Sequence, residues 1–345
     1  PVQWPVTADK PDGTARMFED KQFFTSTGKA QLIAIKPRQP VNAISDEYPL
    51  ILNTGRVRDQ WHTMTRTARS ARLNAHIPEP IVQIHPLNAE NLSLEEGSLA
   101  RLSSLWGNML ARVVVTEEQS LGSVFVPMHW NDFLASRGRV NALVNPVVDP
   151  ISNQPEFKHT PVNISAYKPA WHGFILSRKP LLTIDSEYWV KIKGEQFWRY
   201  ELAGENIIDD IPLWAREQLG EEGEWLEFSD QELQRFRVAK VQNNRLESCV
   251  FIASTHELPT RTWLSQLFSE QTLTNEARMS LLAGKSGAGI PDIGPMVCAC
   301  FGVGENTIKE AFSSGKAKTV DDIGNLLKAG TNCGSCIPEI QKLFN

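Results

Sequence analysis

Long apolar runs are missing from this 345-residue chain. None approaches the roughly 18–20 residues that a bilayer-crossing helix requires, so no transmembrane helix is expected. An excess of charge is missing too. The formal net charge of −5 argues against general nucleic-acid binding. Cysteine is scarce and unevenly placed: of five, four fall between residues 298 and 336. That is not the scatter of a secreted disulfide framework, and it points to a metal site in a reducing compartment. Internal repeats and low-complexity tracts are absent. So is a signal-peptide pattern, and the chain starts Pro1-Val2-Gln3-Trp4 without an initiating Met. That start reads as the middle of a longer polypeptide, so the chain is expected to be a C-terminal piece. A phosphate-binding P-loop is excluded as well. Gly284-Lys285-Ser286 resembles its end, but the glycine required five residues earlier is Met279.

What is present suits a soluble globular protein of two or three domains, with 41% hydrophobic and 22% charged residues. Residues 1–44 read as the tail of an upstream domain and a linker. They hold one hairpin-like stretch, Gln22–Phe24 to Ala30–Ile35 about Ser26-Thr27-Gly28. Residues 45–170 read as mainly strand: Tyr48–Leu52, Ile81–Ile84, Leu99–Ser103, Met109–Val115 and Ser123–Val126, with a short helix from Pro86. Short strands with Gly/Asn turns favour a β-barrel. Residues 171–290 read as a mixed α+β adapter. Its expected strands are Tyr188–Ile192, Phe197–Tyr200, Phe236–Val241 and Arg245–Ile252, and its expected helices are Ile211–Leu219 and Arg261–Leu282. Glu221-Glu222-Gly223-Glu224 reads as a solvated loop. Residues 291–345 read as a small helical domain, with a helix over Glu305–Phe312 and a capping box at Thr319–Asp322. Gly330 is expected to stop the second helix.

Cys298-Ala299-Cys300 and Cys333-Gly334-Ser335-Cys336 stand 32 residues apart, room for two short helices that would bring the pairs together. Glycines beside the second pair let backbone amides approach the sulfurs. Cys336 opens a helix with Pro338 early in it, and a helix N-terminus favours thiolate. Four thiolates fit zinc or iron–sulfur. A one-residue spacer in the first pair is short for zinc, which ranks iron–sulfur ahead. Nuclearity is not fixed by four cysteines. Cys249, inside the apolar run Ser248–Ile252, reads as a packed core thiol. The run Val297–Val303 with Asn332–Ile340 resembles the bacterioferritin-associated-ferredoxin-like domain, over about the last 50 residues. That resemblance implies a [2Fe–2S] cluster on Cys298, Cys300, Cys333 and Cys336.

A second segment carries chemistry. Asn53–Thr67 packs arginines, threonine hydroxyls, Gly55, Trp61 and His62 into one loop after a strand. Arginine forks suit phosphate, and an indole can stack on a flat heterocycle. Asn141 and Lys158 could add polar contacts. The other histidines, among them His76, His85 and His129, are scattered and default to structural roles. The runs Thr54-Gly55-Arg56, Trp61–Thr65, Gln83–Pro86, Gly122–Pro127 and Asp149-Pro150 resemble the dinucleotide-binding domain of the molybdopterin oxidoreductases, over residues 45–165. By that resemblance the fold is a double-psi β-barrel. It helps hold a bis-molybdopterin guanine dinucleotide through Thr54, Gly55, Arg56, Trp61, His62 and Thr63, with Asn141 and Lys158.

Barrel, adapter and CxC…CxxC domain together resemble the assimilatory nitrate reductases. The resemblance implies a cytoplasmic molybdenum enzyme that reduces nitrate to nitrite, with the [2Fe–2S] cluster as a relay. Electrons would come from an NAD(P)H-dependent flavoprotein reductase or a ferredoxin. The molybdenum ligand, the catalytic residues and a [4Fe–4S] cluster would lie in sequence upstream, so this stretch alone is not expected to turn over nitrate. A formate dehydrogenase-like oxidoreductase and a zinc-stabilised interaction module remain as alternatives.

Overall fold

The computed structural model describes residues 3–287 and 291–344. Pro1-Val2 at the start of the expected piece, residues 288–290 at the end of the expected adapter, and Asn345 lie outside the described residues. By packing, the chain divides into two units, Pro1–Val41 and Asn42–Asn345.

In the first unit the expected hairpin does not form. Its turn exists: the Phe23 amide donates to the Gly28 carbonyl at 2.9 Å and the Gly28 amide to Thr25 at 3.0 Å. Beyond it, among the described residues of this unit, no strand pairing continues, and Leu32 and Ile35 stand exposed. A lone hairpin without an apolar surface to cover it is marginal in water.

The second unit begins with the barrel. Six strands contribute: β1 (Leu50–Gly55), β2 (Ile81–Ile84), β3 (Leu99–Ser103), β4 (Asn108–Val115), β5 (Ser123–Pro127) and β6 (Thr160–Ala166). They close in the order β1-β5-β2-β4-β3-β6. The β1–β5 and β2–β4 pairings are parallel and the others antiparallel. The two-residue period of the strands fills the interior, with Leu50 and Leu52, Val82 and Ile84, Val124 and Val126, and Val162 and Ile164 turned into one core. Sequence reasoning missed β6, where Pro161 masks a run in which Val162, Ile164 and Ala166 alternate. Two short helices lie between the barrel strands in sequence, α1 (Ala71–Asn74) and α2 (Pro86–Asn91), and Ala89 of α2 joins the barrel core.

Next comes an antiparallel sheet of β7 (Trp171–Ser177), β8 (Tyr188–Lys193), β9 (Trp198–Gly204), β10 (Glu224–Asp230), β11 (Arg235–Gln242) and β12 (Arg245–Ala253), in the order β10-β11-β12-β7-β9-β8. Helix α3 (Ile211–Leu219) covers one face through Trp214, against Val250 and Ile252. Helices α4 (Arg261–Leu267) and α5 (Asn275–Ala283) cover the other, against Cys249 and Phe251. Cys249 is thus a core thiol, and burial pushes its pKa up to about 12. The single helix expected over Arg261–Leu282 is broken in two. Leu273 drops into the core with its amide on the Asn244 carbonyl at 2.7 Å, and Thr274 caps a fresh helix through the Ala277 amide. The acidic run is not all loop: Glu224 opens β10 and pairs with Arg278. Gly284 is the left-handed cap of α5, which accounts for it without a phosphate.

Barrel and sheet are bolted together by charge. Arg112 forks onto Glu79 at 2.8 Å through both nitrogens, and the Tyr188 hydroxyl donates to the same carboxylate at 2.9 Å.

The last segment folds as β13 (Met296–Cys298), β14 (Val303–Gly304), α6 (Glu305–Ser313), α7 (Val320–Leu327) and α8 (Ile337–Lys342). The Thr319–Asp322 capping box forms as the sequence suggests. Helix α7 stops sooner than Gly330, at Lys328, which takes the left-handed conformation with φ 61°. Among the described residues no helix is long and apolar enough to cross a membrane.

Candidate cofactor and cluster sites

Parallel pairing of β1 with β5 sets Gly55 opposite Pro127, so both strands leave the barrel at the same rim. The loop after β1 and His129 after β5 therefore meet. The Val57 amide donates to His129 Nε2 at 2.9 Å, and Nδ1 lies 2.6 Å from the His62 carbonyl. With Nε2 accepting, the ring proton sits on Nδ1 and donates to His62, so the imidazole is neutral. Burial, first, and nearby Arg56 hold its pKa below the ordinary histidine value, against the pull of the His62 carbonyl. His129 is a clip that shapes the loop.

The clip leaves a polar rim outside. Arg56 stacks over the Trp61 ring with 4.9 Å to its centroid, and Trp61 is 54% exposed. His62, at φ 44°, stands edge-on to that indole, and the Thr63 hydroxyl faces Thr65 at 3.1 Å. Lys158 joins them, its ammonium on the Thr54 carbonyl. Gly55 is required where it stands, because a Cβ there would come within 2.8 Å of the Phe125 ring. Thr54 is buried, and its hydroxyl donates to the Phe157 carbonyl at 2.8 Å, so its side chain braces the 157–158 segment. Asn141 sits exposed on a 3-10 turn, Val140–Ala142, and among the described residues no hydrogen bond ties it to this rim. Asp149 caps its own turn by accepting from the Ile151 and Ser152 amides.

The four cysteines come together as two cross-segment pairs. Cys300 Sγ lies 3.7 Å from Cys333 Sγ. Cys336 contacts Cys298; burial and that neighbouring thiol push its pKa up to about 11. Cys298 and Cys336 are buried, Cys300 is half-buried and Cys333 exposed. Polar groups surround the sulfurs. Ser335 meets Cys333 at 3.1 Å and, with its own amide, holds the Cys333 pKa down. Asn332 donates to Cys300 at 3.3 Å, and the Gly330 backbone hydrogen-bonds Cys336. Gly330 and Gly334 take φ of 87° and 73°, which lets the backbone fold around the thiols. Among the described residues, no three His, Cys, Asp or Glu side chains gather about a single metal ion. Two thiols for each of two irons is the ligand set of a binuclear cluster, and the paired cysteines fit that set. Beside Cys300 opens a cavity of about 570 Å³, lined by Arg72, Lys193, Arg199, Arg261 and Phe301.

The two sites touch. Arg58, from the barrel loop, reaches both carboxylate oxygens of Glu339 on α8 at 3.0 Å each, and lies 3.4 Å from the Ser335 hydroxyl and on the Val297 carbonyl. His76 stands between Asp59 at 3.0 Å and Glu339 at 3.2 Å. Burial alone would lower the His76 pKa, but the two carboxylates outweigh it and raise it. Sequence reasoning set His76 aside as scattered and did not single out Glu339. No local pattern links residues 263 positions apart.

Residues 50–161 match the molydopterin dinucleotide binding domain family, and residues 296–345 match the BFD-like [2Fe-2S] binding domain family. The chain carries these two domains. It is similar to a nitrate reductase of Klebsiella oxytoca, 37% identical over all of this chain and 39% of that protein. A nitrate reductase of Shewanella frigidimarina is 27% identical over 99% of this chain and 39% of its own length. The alpha subunit of an F420-dependent formate dehydrogenase of Methanocaldococcus jannaschii is 32% identical over 47% of this chain and 23% of that protein. The chain thus spans about two fifths of the length of the nitrate reductases it matches.

Proposed function

We propose that the chain works as part of a molybdenum-dependent assimilatory nitrate reductase of the cytoplasm, reducing nitrate to nitrite. The observation that carries this is the joining, in one chain similar along its whole length to nitrate reductases, of a dinucleotide-binding barrel and a [2Fe-2S] domain. Functionally the chain divides into a linker (1–44), the dinucleotide-binding domain (45–170), an adapter (171–290) and the cluster domain (291–345).

The bound bis-molybdopterin guanine dinucleotide would supply the metal at which nitrate is reduced. This chain's residues bind and orient it. Arg56 and Lys158 offer positive charge to phosphate, Trp61 offers a stacking face, and Gly55 keeps the backbone bare for close approach. His62, Thr63 and the Thr54 backbone complete the cradle; Asn141 is the weakest member, given its separate turn. Cys298, Cys300, Cys333 and Cys336 hold a cluster that passes electrons one at a time. The half-exposed Cys300–Cys333 side is the entry for electrons from an NAD(P)H-dependent flavoprotein or a ferredoxin.

The formate dehydrogenase relative favours a second reading, but its likeness covers under half of the chain. In the full-length protein, turnover of nitrate with a viologen donor and none of formate supports the nitrate reading; the reverse overturns it. Arg56→Ala and Lys158→Ala should each lower molybdopterin content. Unchanged content in both would remove the cradle assignment.

A further inference from the structure

We propose that Arg58, carried by the barrel, is a positioning residue for the cluster cradle, clamping both cysteine segments at once and fixing them against the dinucleotide loop. The proposal rests on the reading above that the four cysteines hold a cluster. One guanidinium meets the first segment at the Val297 carbonyl, next to Cys298, and the second at Ser335, next to Cys336. Its fork onto Glu339 then fixes α8, the helix that Cys336 opens. Five N–H donors in a rigid plane let arginine do this; a lysine ammonium is a point charge that cannot span the two segments.

The clamp is built from behind as well. The Arg58 side chain is 16% exposed, with Asp59 beside it at 3.5 Å and His76 bridging Asp59 to Glu339. An ordinary surface ion pair between the same regions looks different. Lys342 with Glu118 joins two side chains that are each more than half exposed and touches no cysteine segment. Arg58 also holds a fixed positive charge beside both cysteine segments. The same charge favours an added electron on any cluster held there.

Hydrogen–deuterium exchange on the full chain tests the clamp without needing a cluster. Arg58→Gln should speed amide exchange roughly tenfold or more in both 296–300 and 333–339, while barrel strands keep their protection. Arg58→Lys should restore little of it, and Lys342→Gln should change neither segment. Should Arg58→Gln fail to fold, Glu339→Gln attacks the contact from the other side and should loosen both segments to a smaller degree. Faster exchange in one segment alone, or in neither, overturns the clamp. In cluster-loaded protein, redox titration should give a lower midpoint potential for Arg58→Gln and a near-normal one for Arg58→Lys, since only the first loses the charge. An unmoved potential in Arg58→Gln likewise overturns the proposal. A parent protein without an iron–sulfur spectrum would sink the cluster reading instead, and the exchange pattern would still decide whether Arg58 clamps both segments.

Discussion

A histidine sits at the barrel rim and another beside the cysteine cradle, and their surroundings favour opposite protonation states. At the rim, His129 must be neutral, because its Nε2 accepts from the Val57 amide. Beside the cradle, His76 stands between two carboxylates and is favoured as the cation. The rim is held by hydrogen bonds inside one domain and leaves Arg56, Trp61 and His62 exposed, where the proposed cofactor would reach them. The cradle's buried Cys298 and Cys336 instead lie behind charges that reach across from the barrel. A binding face for a dinucleotide can be open and preformed. A cluster site depends on what its neighbour contributes.

The largest effect should come from the cradle. Cys336→Ala removes a buried thiol from the proposed ligand set and should abolish cluster loading, read as loss of visible absorption, while circular dichroism of the barrel and sheet persists. The corresponding change at the rim is smaller. His129→Ala strands the Val57 amide and the His62 carbonyl, costing about 2–4 kcal/mol in denaturant unfolding with no loss of iron. The two histidines should also separate with pH. His129 has a lowered folded pKa, so its contribution is present above the ordinary value of about 6.5 and is lost as pH falls. His76 has a raised one, so its contribution is full below about 6.5 and is lost as pH rises through the folded value. Amide exchange near pH 5.5 and near pH 8 should therefore show loop 57–62 loosening in acid and α8 loosening in base. The smallest effect belongs to Arg56→Ala. Its exposed stacking on Trp61 is worth about 0.5–1 kcal/mol, so the melting temperature should move by only about 2 °C.

Local patterns were legible in the sequence and long-range contacts were not. Ile81–Ile84 and Leu99–Ser103 were placed to the residue, because a short apolar or alternating run bounded by turns is a local signal. The CxC and CxxC pairs were legible for a similar reason, since ligand spacing is local chemistry. Strand β6 was hidden by Pro161, and the break between α4 and α5 by a helical pattern that continues across Leu273. Arg58 was visible as one more arginine of a basic loop. Only the fold turns it toward Glu339, 281 residues away, because the barrel rim and α8 meet in space alone.

Whether the four cysteines hold a binuclear cluster is decided by electron paramagnetic resonance of the purified chain after dithionite reduction, with iron and acid-labile sulfide measured on the same sample. Roughly two irons and two sulfides per chain are expected, with a rhombic signal from one reduced binuclear centre. A colourless chain that carries zinc and gives no signal on reduction would contradict that cluster assignment.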